Sequence, residues 1–282
     1  MYVAFDIGGT KMRIAISKDA KTVRGEPYVE KTPPRFEDGI ERIVEIVQEL
    51  TGGRPVTALG GGMAGSFNRE KTELFHAPNL PGWIGKPFSE ALSRKMNAPV
   101  YVANDTAIVG LGEAHAGAGM GSNIVVYITV STGVGGARIV DGIIDKRAFG
   151  FEPGHQIIDA DGSLCKDCAS GQLEDLVSGT AVSRRFNMPA YEVKNDHLWN
   201  TELPRWLAYG LYNTVLHWSP DVIILGGSMI TGDPAINVEK TEQYLRDITT
   251  IFPEVPKVKK AECGDFGGIH GAFAYIRQHH VR

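Results

Sequence analysis

Two glycine turns set between apolar strands constrain this chain more than any other feature. The first is Asp6-Ile7-Gly8-Gly9-Thr10-Lys11, between strand patterns at residues 2–7 and 12–17. The second is Ser131-Thr132-Gly133-Val134-Gly135-Gly136, between patterns at 124–130 and 137–140. In the first half an amphipathic helix pattern (36–50) follows, then a buried strand (56–59) running into Gly60-Gly61-Gly62. In the second half a buried strand at 221–225 ends in Gly226-Gly227-Ser228. An order repeated about 120 residues apart predicts two halves built on one plan. Further helices are predicted at 86–96, 172–186, 203–217 and 235–251, and strands alternating with helices predict an α/β fold with mostly parallel sheets. The segment 187–202, with Asn195, Asp196, His197 and Trp199, receives no assignment.

Glycine turns of this kind are suited to anions. They permit left-handed backbone that aims successive N–H groups inward and lets a phosphate approach closely. Thr10 adds a donor and Lys11 a charge, while Asp6 is placed to orient a hydrated Mg²⁺, which takes one or two carboxylates and keeps several waters. No Gly-x4-Gly-Lys-Ser/Thr is present, so this is not a P-loop. Gly60-Gly61-Gly62-Met63-Ala64-Gly65 satisfies Gly-x-Gly-x-x-Gly, but no helix opening follows it and no acid ends a strand about 20 residues later, which argues against a dinucleotide site.

Composition removes other classes. Hydrophobic residues make up 43% and charged residues 22%, enough apolar material for cores and too much for a disordered chain. A net charge of −4 with no long basic run argues against nucleic acid as a partner. The longest apolar run, residues 124–130, is far short of the roughly 20 residues that a bilayer span needs, so no membrane partner is expected. Met1-Tyr2-Val3 lacks the basic start of a signal peptide, and three cysteines make an odd count; both predict a reducing cytoplasm.

Taken together, the turns Asp6–Lys11 and Ser131–Gly136, the pair Asn104-Asp105, Glu152-Pro153-Gly154-His155 and Gly226-Gly227 resemble the ROK family of sugar kinases and repressors, within the actin/hexokinase-type ATPase superfamily. The likeness runs from residue 2 to about residue 273. It implies two actin-like (ribonuclease H-like) α/β lobes around a central cleft: residues 1–115 with the tail 273–282, and residues 116–272. It also implies ATP-dependent phosphorylation of a hexose. By this resemblance Gly8, Gly9, Thr10, Lys11, Thr132 and Gly133 hold ATP phosphates, Gly226 and Gly227 line the nucleotide site, and 267–272 opens a helix returning the tail to the first lobe.

Asn104-Asp105 ends an apolar strand (99–103) ahead of a helix pattern, where both residue types serve as N-caps. The resemblance gives Asp105 a further role as the general base that takes a proton from the attacking hydroxyl, and gives Asn104 to the sugar. Gly65, Asn79, Glu152, His155 and Glu174 match the remaining sugar positions. Glucose, converted to glucose 6-phosphate, fits these matches; fructose, mannose, allose and N-acetylated amino sugars are alternatives. A catalytically silent sugar-binding regulator is a further alternative. A repressor carries a DNA-binding domain ahead of the first glycine turn, and a turn at residue 6 leaves no room for one. The family likeness also implies a homodimer.

Many members of that family hold structural zinc through the same histidine and a Cys-x-Cys-x4-Cys run. Here the run reads Cys165-Lys166-Asp167-Cys168, with Gln172 in the last cysteine position. His155, Cys165 and Cys168, with Asp167 as a fourth ligand, can hold Zn²⁺. A loop that folds without metal is the alternative, and the residues admit both.

Overall fold

The computed structural model describes residues 1–165 and 170–280. The fold is mixed α/β and the chain divides into two compact units: Met1–Gly117 with Lys146–Gly150 and Cys263–Arg282, and Ala118–Asp145 with Phe151–Glu262.

The first unit opens with three strands, β1 (Tyr2–Ile7), β2 (Lys11–Ser17) and β3 (Arg24–Lys31), followed by helix α1 (Phe36–Thr51). Strand β4 (Ala58–Met63), the small hairpin β5 (Ser66–Phe67) and β6 (Leu74–His76), helix α2 (Phe88–Met96), strand β7 (Val100–Asn104) and helix α3 (Asp105–Ala116) complete its first segment. The sheet order is β3-β2-β1-β4-β7, with β1, β4 and β7 parallel and β2 antiparallel to β1. Helix α1 buries Phe36, Ile40, Ile43, Ile46 and Val47 into a core shared with Phe5, Ile14, Trp83 and Phe88. The indole N–H of Trp83 donates to the Pro33 carbonyl at 3.0 Å, which satisfies the one polar atom of a ring that is almost fully buried.

In the second unit β8 (Ile124–Val130), β9 (Val134–Val140) and β10 (Ile143–Ile144) repeat the opening. Helices α4 (Leu173–Val177), α5 (Gly179–Phe186) and α6 (Leu203–Trp218), strand β11 (Val222–Gly226), helices α7 (Ser228–Thr231) and α8 (Val238–Ile248), and strand β12 (Lys257–Lys260) follow. The order β10-β9-β8-β11-β12 reproduces the plan of the first sheet, with β8, β11 and β12 parallel. The last helix, α9 (Gly267–His280), belongs to the first unit and packs on α3, β1 and β4.

Several sequence expectations need correction. Gly60, Gly61 and Gly62 do not follow a strand; they lie inside β4. A Cβ at Gly60 would stand 2.6 Å from Ile276, one at Gly62 would stand 2.8 Å from the Asp105 Cα, and one at Gly61 would overlap the Phe5 carbonyl. The glycines therefore let α9, α3 and β1 press directly on the strand, and the Gly-x-Gly-x-x-Gly match is a packing feature. The helix expected at 172–186 is broken at Ser178, whose extended backbone ends α4 and whose hydroxyl accepts the Ala181 N–H to cap α5. The helix expected at 235–251 is shorter, starting after Asn237, whose side chain accepts the Lys240 N–H. Within 187–202 the buried Trp199 donates its indole N–H to the Val193 carbonyl at 2.8 Å, so this segment serves the core. Among the described residues no helix is long and apolar enough to cross a membrane.

Candidate functional site

In the first unit the named residues gather at the carboxyl ends of parallel strands, the usual place for ligands in open α/β sheets. Register aligns Asp6 on β1 with Gly62 on β4, and Gly62 with Ala103 on β7, immediately before Asn104 and Asp105. Asp6 is mostly buried and pairs with Arg13 at 3.3 Å; the two are cross-strand partners in the β1–β2 hairpin. A Cβ at Gly268 would stand 2.7 Å from the Asp6 carboxyl carbon, so the first turn of α9 closes over this acid. Burial pushes the Asp6 carboxyl up from its ordinary value, and Arg13 opposes that push.

Asp105 is the first residue of α3, and its Oδ1 accepts the Thr106 N–H at 2.7 Å. Its pKa is pushed up to about 7, chiefly by desolvation, opposed by the Thr106 hydrogen bond and assisted by the negative charge of Asp6. A carboxylate in this range is about half ionised near neutrality. Asn104 fulfils its capping expectation: Oδ1 accepts the Ala107 N–H at 3.1 Å, while Nδ2 donates to the Gly65 carbonyl at 3.0 Å. Two expected sugar residues, Gly65 and Asn104, are thus bonded to each other.

The glycine turns differ from expectation in their physical reason. Gly8, Gly9 and Gly133 are not in the left-handed region; among the expected site glycines only Gly65 (φ 129°) and Gly227 (φ 87°) have positive φ. What excludes a side chain is space. A Cβ at Gly9 would overlap Asn79, which brings that expected sugar residue against the first glycine turn. The turn is tied by Gly8 N–H to the Lys11 carbonyl at 2.9 Å and by the Thr32 hydroxyl to the Gly8 carbonyl at 2.6 Å. Thr10 and Lys11 are left exposed to solvent.

In the second unit the turn Ser131–Gly133 lies beside the Gly226–Gly227 corner, with the hydroxyls of Ser131 and Ser228 3.0 Å apart. A Cβ at Gly226 would overlap the Tyr127 hydroxyl, and one at Gly227 the Val130 carbonyl. Glu174, expected at the sugar, turns one oxygen onto the hairpin: Oε2 accepts the Val134 N–H at 2.6 Å. The turn 153–155 packs on the same strand, since a Cβ at Gly154 would overlap the Val134 carbonyl. Glu152 and His155 are exposed, and His155 Nδ1 lies 2.7 Å from Gln172 Oε1. Thr132 projects at the tip of the β8–β9 hairpin.

Arg13, Ser131, Ser228 and the Val134 N–H were not singled out from the sequence. Only Arg13 carried a signal, because the four-residue link 8–11 between the strand patterns pairs residue 7 with 12 and places residue 13 opposite residue 6.

Asp6 fits the electrostatic demand of a hydrated divalent cation: a buried oxygen ligand, pushed up by burial, gains from more positive charge than Arg13 alone supplies. Among the described residues no three His, Cys, Asp or Glu side chains gather as a metal centre. Asp167 and Cys168, on which the zinc reading depends, lie outside the described residues. Around that segment the Asp159 carboxylate accepts the N–H groups of Leu164 and Cys165 at 3.2 and 3.1 Å, and the Gly171 carbonyl accepts those of Ile158 and Asp159 at 2.9 and 3.1 Å.

Glucokinase of Thermotoga maritima is 31% identical over 199 residues, covering 70% of this chain and 62% of that protein; the chain therefore spans less than two thirds of this relative. N-acetyl-D-glucosamine kinase of Escherichia coli is 26% identical over 96% of this chain and 98% of its own. The crystal structure of a ROK family glucokinase from Streptomyces griseus in complex with glucose and AMPPNP superposes with a TM-score of 0.73, at 25% identity over 98% of this chain and 99% of that one. The ROK family model matches residues 2–279, and this chain belongs to the ROK family.

Proposed function

We propose that this protein is an ATP-dependent hexose kinase in which Asp105 is the general base, with glucose as substrate and glucose 6-phosphate as product. The observation that carries the reading is Asp105 itself: a carboxylate at a strand end, raised to about 7 by burial and by Asp6. Its proton affinity suits removal of a hydroxyl proton at neutral pH, a contribution of typically 10²–10⁴-fold. The hexose oxygen then attacks the γ-phosphorus, the bond to the bridging oxygen breaks, and ADP leaves. Relatives named as glucokinase and N-acetyl-D-glucosamine kinase support the reaction class, and the neighbour with glucose and AMPPNP supports both substrates.

The hexose contacts proposed in the first unit are Gly65, Asn79, Asn104 and Asp105; those in the second are Glu152, His155 and Glu174. Phosphates are assigned to Gly8, Gly9, Thr10, Lys11, Thr132 and Gly133, and the rest of the nucleotide to Gly226 and Gly227. Mg²⁺, held through water by Asp6, would supply charge neutralisation for the phosphates when bound.

ADP release measured across glucose, fructose, mannose, allose and N-acetylglucosamine tests this function. The highest kcat/KM is expected with glucose. A higher value with another sugar overturns the substrate assignment, and no sugar-dependent release with any of them overturns the kinase and favours a silent sugar-binding regulator.

A further inference from the structure

Glu174 occupies an unexpected position for a residue whose assignment is to the sugar alone. Its Oε2 lies 2.6 Å from the Val134 nitrogen, the first backbone donor after the turn 131–133. The turn encloses this oxygen closely: a Cβ at Gly133 would stand 2.5 Å from Oε2 but 3.7 Å from Oε1. The carboxylate is therefore directional, with one oxygen committed to the turn and the other directed away from it. On its other side the same turn is held by the Gly179 N–H, which donates to the Ser131 carbonyl at 2.7 Å. Gly179 opens α5 and Glu174 lies in α4, so one helical corner clamps both ends of the hairpin tip. Val134, whose N–H is bonded to Glu174, also carries the contact with Gly154 of the turn 153–155.

We propose that Glu174 is a positioning residue for the nucleotide: through the Val134 N–H it holds the turn Ser131-Thr132-Gly133 in the shape that receives phosphates, while Oε1 serves the hexose. One carboxylate then belongs to both substrates, and occupancy by the sugar is felt at the phosphate turn. A residue that touches only the sugar has no influence on nucleotide in the absence of sugar, whereas this arrangement gives Glu174 such an influence. The inference rests on the kinase reading, because it needs the turn to bind phosphates.

The test is the affinity of the full-length protein for Mg-AMPPNP without any hexose, by calorimetry, with a thermal melt for every variant. Loss of a charge-assisted hydrogen bond predicts about 10-fold weaker binding in Glu174→Ala, whereas Glu174→Gln, which keeps an acceptor oxygen, stays within about 3-fold of the native protein. Gly133→Ala should weaken binding comparably by pushing the carboxylate aside, and the double variant should be no worse than the single ones, since both remove one interaction. Should Glu174→Ala fail to fold, Glu174→Asp, which draws the oxygen back by one methylene, must show the weakening instead. Unchanged affinity in a folded Glu174→Ala, or losses that add, overturns the inference and leaves the kinase standing. A native protein that binds no nucleotide overturns both.

Discussion

At the scale of single residues the account turns on Asp105. Its raised pKa has consequences of opposite sign for activity and for stability. As the proposed base it would work ionised, so kcat/KM should fall as pH drops below about 7. For stability, a folded value above the ordinary 3.8 means that the neutral form is favoured in the fold; that contribution is present at low pH and lost as pH rises through about 7. Asp105→Asn should therefore melt at a higher temperature than the native protein at pH 8, with the gain shrinking toward pH 4. A melting difference that does not vary with pH would contradict the burial of an ionised group here. A second expectation concerns Arg13. Its removal leaves Asp6 without its counter-charge and should strengthen the push on Asp105, moving the acid limb of the pH–rate profile upward in Arg13→Gln; an unmoved limb would detach Asp6 from the base. The cross-strand position of Arg13 was legible from the length of the turn. Burial of Asp105 was not, because it depends on α9 and β4 packing around it from distant parts of the chain.

Among elements, β4 shows how glycine can mislead a reading made from the chain alone. Three glycines after an apolar pair look like a turn, yet here they are a strand, because flat backbone is what α9 and α3 require beneath them. Gly61→Ala would meet the Phe5 carbonyl, which is fixed backbone, as well as the Phe5 ring, and should cost more than about 3 kcal/mol in denaturant unfolding, the range of severe core lesions. Gly53→Ala, at positive φ with open space around it, should cost about 1–2 kcal/mol. Equal costs would show that space around β4 is not what selects glycine. The strands with clear apolar runs, β1, β8 and β11, were legible, as was the amphipathic α1. The edge strands β3 and β12 were not: Arg24–Lys31 and Lys257–Lys260 are largely exposed and polar, and edge strands carry little apolar signal.

For the whole molecule the duplicated order was legible, since each half declares itself by a strand, a glycine turn and a return strand. The two sheets bear this out with the same order and the same pattern of parallel and antiparallel pairs. The division of labour within the second unit was less so. Glu174 and the turn 131–133 lie some forty residues apart, and their bond depends on the fold of α4 and α5. The hexose is the least legible part, because relatives sharing this plan are named for both glucose and N-acetyl-D-glucosamine. The most direct test of the central claim is ADP release with glucose, ATP and Mg²⁺ by the native protein and Asp105→Asn, alongside glucose affinity for both. The account predicts glucose-dependent release that falls by about 10²–10⁴-fold in the variant while glucose affinity stays within a few-fold. A variant that turns over at the native rate would contradict it.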